Sequence, residues 1–180
     1  LLPVTLVSTK NNESPDNLKA EFLPVLSNSK LRYINPFLFF SIRKIIREKK
    51  STHLLIEHPY YGWLGILLQL FCRVKLVVHY HNIEATIFKS HGKWWWGILW
   101  NYEKWVHQIA AINFFITDED RSFAIERYKL KPHLCHTVTY GFEMNSPPSP
   151  EEKTAARKSL EEKFQVSPEQ RIILFNGTLD

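Results

Sequence analysis

The sequence holds only two cysteines, Cys72 and Cys135, and a single methionine in 180 residues. Two thiols so far apart make no disulfide framework and point to a reducing compartment. Cys72 lies in an apolar run and reads as a buried thiol. No G-x-G-x-x-G and no P-loop pattern occurs, so the residues give no support for a nicotinamide or nucleotide-triphosphate loop. The longest apolar run, residues 63–72, is broken by Gln69 and falls short of the roughly 20 residues that span a bilayer. No basic region with a small-residue cleavage site follows Leu1, so a secretory leader is not expected. Neither sign of charge dominates: 23 Lys and Arg against 18 Asp and Glu leave a formal +5. The basic residues fall on helices without base-stacking motifs, which argues against nucleic acid as a partner. Eight histidines add charge in mildly acidic conditions.

Apolar and aromatic mass is what the chain does have. At 44% hydrophobic and 14% aromatic it can build one domain with a real core. The organising stretch is residues 74–84, VKLVVHYHNIE. Leu76, Val77 and Val78 are consecutive apolar residues, as in a central strand of a parallel sheet covered on both faces. His79, His81, Asn82 and Glu84 follow with no spacer. Ligands of open α/β sheets bind beyond the carboxyl ends of the strands, so this polar tip is the first candidate for function.

Around it, strands and helices alternate. Residues 4–7 (VTLV) are a short β-rich run, ended by a polar loop around residues 11–17. Asn35 as N-cap and Pro36 at the first helical position open a helix with Leu38, Ile42, Ile45 and Ile46 at helical spacing. It closes on Arg47, Lys49 and Lys50, cations suited to a C-terminal dipole. Residues 53–58 (HLLIEH) form a second strand closed by Pro59, and residues 62–70 a buried helix. A linker with Gly92 follows the organising strand. The next helix is long, with Trp95, Ile98, Tyr102, Trp105 and Ile109 on one face, broadened by Leu99 and Val106. Residues 112–117 (INFFIT) are a fourth strand, and Thr117 or Asp118 caps a helix reaching about Tyr128. Residues 135–140 (CHTVTY) are a fifth strand, ending at Gly141. A Pro/Ser linker, residues 145–150, leads into a capping box of Ser149 and Glu152 and an exposed amphipathic helix over residues 155–164. Residues 171–176 (RIILFN) make a last strand. Such alternation predicts parallel βαβ units with right-handed crossovers.

The succession of HNIE, an aromatic helix with Tyr102 and Glu103, INFFITDEDRSFAIERY, CHTVTYGFE and ILFNGTLD resembles a known family. It is similar to the N-terminal half of GT-B fold glycosyltransferases of the family 4 type, over most of the chain from about His53. The resemblance implies an α/β, Rossmann-like domain with a mainly parallel sheet and helices on both faces, set across a cleft from a second such domain. It implies an acceptor-side domain over residues 1–145, a linker and helix over residues 146–170, and the first strand of the donor domain over residues 171–180. A first strand and Gly-rich loop are expected ahead of Val4, and the rest of the donor domain beyond Asp180. The implied activity of the intact protein is hexosyltransferase-type transfer from a nucleotide sugar to a glycan or lipid-linked acceptor, as in polysaccharide biosynthesis. These residues alone are not expected to catalyse it. The nucleotide sugar is a substrate, and no tightly bound cofactor is implied. Two other readings stay open: a non-catalytic glycan- or membrane-binding module or adaptor, and a GT-B fold nucleotide-sugar epimerase.

By resemblance His81 aligns with the family's active-site histidine beside the transferred sugar. There a neutral imidazole donates a hydrogen bond to a hydroxyl or exchanges a proton. The residues alone also fit a histidine that satisfies backbone groups at a strand end. His79 shares its face of the strand and is expected deeper, in a supporting part. Asn82 and Glu84 are candidates for acceptor binding; Glu84 serves there as acceptor or base, or else as a helix N-cap or solvated carboxylate. Glu103 is expected to anchor a neighbouring loop or cation. By resemblance Tyr140 and Gly141 line the acceptor side of the cleft rim, and Asn176 and Gly177 bring backbone amides to the donor diphosphate. His79 and His81 offer two metal ligands, but no third stands at convincing spacing, so no metal is expected. Seven cations and one acid, Glu48, lie between Lys30 and Lys50. Lys89 and Lys93 accompany the tryptophans 94–96. Both groups suit an anionic membrane surface, at about 1 kcal/mol per cation, and both also suit ordinary solvation. The expected location is cytoplasmic, with peripheral contact at the inner face of the membrane.

Overall fold

The computed structural model describes residues 3–14, 16, 18–139 and 147–171. The chain separates into two compact units, Leu1–Tyr140 and Gly141–Asp180. The first unit carries strands β1 (Thr5–Thr9), β2 (Glu21–Leu26), β3 (His53–Glu57), β4 (Lys75–Tyr80), β5 (Ile112–Phe115) and β6 (Cys135–Thr137). Its helices are α1 (Leu38–Glu48), α2 (Gly62–Cys72), α3 (Glu84–Ser90), α4 (Trp96–Ile109) and α5 (Asp118–Tyr128). β1 and β2 pair in parallel, and β3-β4-β5-β6 form a four-stranded sheet in that order, parallel throughout. This is a Rossmann-like α/β fold, and the consecutive strand order follows from short helical crossovers.

β4 is the central strand, as its unbroken apolar run requires. Leu76, Val78 and Tyr80 are fully buried on one face. Leu76 and Val78 pack with Ile56, Ile66, Val106 and Ala110, while Tyr80 packs with Phe115, Ala124, Tyr128 and Cys135. Burying a Leu- or Val-sized side chain contributes about 1.5–3 kcal/mol. A third cluster locks Leu38, Ile42 and Ile46 of α1 against Leu64 and Leu68 of α2. Gly62 and Gly65 allow these close approaches. A Cβ on Gly62 would lie 2.2 Å from Val106 Cγ2, and one on Gly65 2.7 Å from Leu76 Cδ1.

Three elements depart from the sequence reading. β2 lies where only a loop is legible, because Pro24 interrupts EFLPVL; the strand tolerates proline at the edge of its sheet, pairing only with β1. α3 replaces the expected linker. α4 is turned from its predicted stripe: Ile98 is 67% and Trp105 44% exposed, while Val106 of the stripe is buried as expected and Glu103 and His107, outside it, are buried too. Two polar side chains therefore face the core, where hydrogen bonding offsets their desolvation. The start of α1 also moves: Asn35 Oδ1 accepts from Phe37 N at 3.0 Å, a turn that precedes the helix at Leu38.

In the second unit, α6 (Pro150–Phe164) begins in the expected capping box, with Ser149 Oγ accepting from Glu152 N and Glu152 accepting from Ser149 N. Arg157 holds Glu161 one turn on, at 2.5 Å.

Candidate functional site

β3 and β4 end side by side, with Glu57 directly opposite His79 in the register. The side chains at i and i+2 share a face, so Glu57, His79 and His81 converge. Glu57 Oε2 lies 3.0 Å from His79 Nδ1 and 2.6 Å from His81 Nε2. A carboxylate only accepts, so both ring nitrogens facing it carry hydrogen. That fixes the tautomer of each neutral ring, with the lone pair of His81 on Nδ1. The His79 side chain is 13% exposed and the His81 side chain 24%; His79 is the deeper, and His81 remains reachable from solvent.

His58 completes the group. It leaves β3 with φ 69° and ψ 148°, a conformation costing a non-glycine residue about 1–3 kcal/mol. Its amide donates to His79 O at 3.1 Å. Its ring centroid sits 4.4 Å from that of His81. Burial, and then the proximity of a second titratable ring in His81, push its pKa down. Across the tip, Glu84 is the first residue of α3, favourable for a carboxylate at a helix N-terminus. It accepts from Tyr60 Oη at 3.0 Å and lies 4.0 Å from His58 Nδ1. Asn82 is exposed in the bend between β4 and α3. Tyr60 also lines a neighbouring hollow of about 380 Å³ with Tyr33, Ile34, Trp63 and Tyr102.

Behind the tip, Glu103 is fully buried. It accepts from Tyr80 Oη, from Tyr128 Oη at 2.8 Å and from Ala85 N at 3.3 Å. Tyr80 Oη in turn accepts from Glu84 N at 3.1 Å. This carboxyl thus holds the first turn of α3, immediately after His81 and Asn82. Burial raises the Glu103 carboxyl to about 7, against the lowering pull of its three donors. Next to it, burial lowers His107 to about 4, with Asn113 Oδ1 2.7 Å from its Nδ1.

Among the described residues, Glu57, His79 and His81 are the set able to hold a metal ion, their donor atoms lying within 4.8 Å of one another. The third ligand that sequence spacing does not show comes from the neighbouring strand. Glu57 and His58 were not singled out from the sequence, although they end HLLIEH as His79 and His81 end the next strand; applying the strand-end rule to both finds them. Tyr140, Gly141, Asn176 and Gly177 lie outside the described residues, as does the expected strand over residues 172–176.

A parallel Rossmann-like unit with its polar groups gathered at the strand ends is one half of a GT-B architecture, and solved structures share it. HepE of Anabaena in complex with UDP-glucose matches at TM-score 0.54 and 18% identity, over 81% of this chain and 36% of that one. The UDP-N-acetylglucosamine 2-epimerase of Rickettsia bellii matches at TM-score 0.50 and 12% identity, over 91% of this chain and 42% of that one. HepE in complex with UDP and glucose matches at TM-score 0.51 and 18% identity, over 78% and 36%. At such identities the likeness is one of fold, and the chain spans less than half the length of these proteins. The chain belongs to Glycosyltransferase Family 4, whose model matches residues 3–145. No curated protein matches the sequence.

Proposed function

We propose that these residues form the acceptor-side half of an enzyme transferring a hexose from a nucleotide sugar to a glycan or lipid-linked acceptor, in polysaccharide synthesis. The observation that carries this is His81: reachable at the end of β4, oriented by Glu57. In transfer, the acceptor hydroxyl oxygen bonds to the anomeric carbon, the bond from that carbon to the diphosphate breaks, the nucleotide leaves with the electron pair, and the hydroxyl proton passes to the departing diphosphate oxygen. His81 faces the reacting sugar, while His79, Asn82 and Glu84 meet the acceptor. The sugar nucleotide in the HepE complexes supports a donor of that class. On this reading Tyr140 and Gly141 border the acceptor, Asn176 and Gly177 the donor, and residues 1–180 alone do not turn over.

An acceptor drawn from an anionic leaflet is supported by the surface of the first unit. Leu31, Ile34, Phe37 and Phe40 recur every three residues and are each 63–73% exposed. Arg32 lies between them in sequence, Lys30 precedes them, and Arg43, Arg47 and Lys50 follow. Apolar anchors with cations suit peripheral attachment at the cytoplasmic face. Among the described residues no helix is long and apolar enough to cross a membrane.

The test is His81→Ala in the full-length protein, with release of nucleotide from labelled UDP-hexoses as the readout. Turnover should fall at least a hundredfold with the unfolding transition unchanged; unaltered turnover removes His81 from the site. An isomerised nucleotide sugar formed without acceptor would instead assign an epimerase, the activity named for one structural neighbour.

A further inference from the structure

A cleft of about 500 Å³ opens between α3, α4 and α5 and shares no residue with the Glu57–His79–His81 cluster. Trp96, Trp100 and Phe123 line it. Trp100 stands edge-on to Phe123 and Tyr128, with centroids 5.9 and 4.8 Å away. Two cations stand over these rings: Lys89 Nζ lies 4.6 Å from the Trp96 centroid, and the Arg127 guanidinium 6.0 Å from that of Phe123. Among the described residues no carboxylate lines the cleft; exposed Glu126 touches Arg127 at 3.8 Å. The polar side chains of its walls are already engaged. Asn101 Nδ2 donates to Gly97 O at 2.9 Å, and Thr86 Oγ1 to Ile83 O at 2.7 Å.

What remains for a ligand is aromatic surface and positive charge. A sugar or nucleobase would find donors at Lys89 and Arg127 but few acceptors for its own hydroxyl or amino hydrogens, and each one buried unmatched costs about 1–3 kcal/mol. An apolar chain ending in an anionic group matches both the aromatic surface and the charge, its hydration loss offset by the two cations. The approach has the same character: Trp94, 85% exposed, and Ile98 flank the cleft beside Lys93, the residue types that settle at a bilayer interface. We propose that this cleft binds a phosphate-bearing lipid from an anionic bilayer, its chain against Trp96, Trp100 and Phe123 and its phosphate at Lys89 and Arg127. This site is independent of sugar transfer.

Gly97 gives a clean probe. It lines the cleft, and a Cβ there meets nothing within 4 Å. Gly97→Leu therefore places its Cβ in open space and adds side-chain volume at the cleft wall, and leucine is the better helix former. Dodecyl phosphate, kept below its micellar concentration, is titrated into the full-length protein with tryptophan fluorescence as the readout, and circular dichroism confirms the fold. Wild type should bind it saturably. Gly97→Leu, and separately the Lys89→Gln/Arg127→Gln pair, should bind at least tenfold more weakly, and inorganic phosphate should not bind. On phosphatidylcholine vesicles containing phosphatidylglycerol, wild type should bind at least threefold more tightly than Gly97→Leu. Absence of saturable binding, wild-type affinity in both variants, or phosphate binding as tightly as the alkyl phosphate would overturn the proposal. Equal vesicle binding by wild type and Gly97→Leu would overturn the bilayer as the source.

Discussion

Replacing Glu103 by glutamine should change how stability depends on pH. The carboxyl is fully buried, and burial raises it from 4.5 to about 7. Between those values the unfolded chain has released a proton that the native state still binds. Native stability therefore falls as pH rises across this window and levels off above it. At about 1.4 kcal/mol per unit, the loss attributable to this group is about 3 kcal/mol. Glutamine is similar in shape, cannot titrate, and keeps one acceptor for the donors from Tyr80, Tyr128 and Ala85. Its amide leaves at least one donor facing another donor, costing about 1–3 kcal/mol at all pH values. The assay is urea unfolding of both proteins from pH 4.5 to 8, followed by tryptophan fluorescence, with Trp100 4.8 Å from Tyr128 as a local reporter. The stability advantage of wild type over Glu103→Gln should shrink steadily up to about pH 7 and then stay level. An advantage that stays constant or grows with pH would show that Glu103 is ionised in the native core, and the reasoning would fail.

Gly62→Ala should destabilise the first unit by about 1–3 kcal/mol through overpacking, since its Cβ meets Val106 at 2.2 Å; a thermal melt within 1 °C of wild type, on the order of a few tenths of a kcal/mol, would contradict the α2–α4 packing. Glu57→Gln should lower turnover of the intact enzyme about tenfold or more with little change in KM, because the carboxylate orients His81 and its side chain is half exposed; a change confined to KM would make it a substrate ligand instead. Chelation with EDTA should leave turnover unaltered if Glu57, His79 and His81 work as a hydrogen-bonded group; activity lost to EDTA and restored by zinc would make them a metal centre. Ser149→Ala should cost α6 about 1 kcal/mol by removing its capping box, read as faster amide exchange in its first turn.

Where local pattern and tertiary need coincide, the fold is legible in the chain. Leu76–Val77–Val78 can only be a doubly covered strand, and the Thr117 and Ser149 caps announce their helices. β2 is hidden because Pro24 is tolerable only in an edge position, which the sequence does not disclose. α3 is hidden because seven residues make a marginal helix alone; what holds it, Glu103 and Tyr80, lies on other elements. The turned face of α4 misleads for a related reason. Glu103 reads as an anchor for a neighbouring loop or cation, but that it and His107 face the core shows only once Tyr80, Tyr128 and Asn113 are placed beside them. Of the site, the tip of β4 is readable as far as the residue types go. HLLIEH marks Glu57 and His58 as strand-end residues, but that they meet His79 and His81 emerges only through pairing of β3 with β4.

The buttress that Glu103 forms beneath the first turn of α3 has a mechanical corollary. The segment presenting His81 is tied on one side to the sheet and on the other to a fully interior carboxyl, so it resists displacement. Moving His81 would therefore break strand pairing on one side and the hydrogen bonds of Glu103 and Tyr80 to the start of α3 on the other.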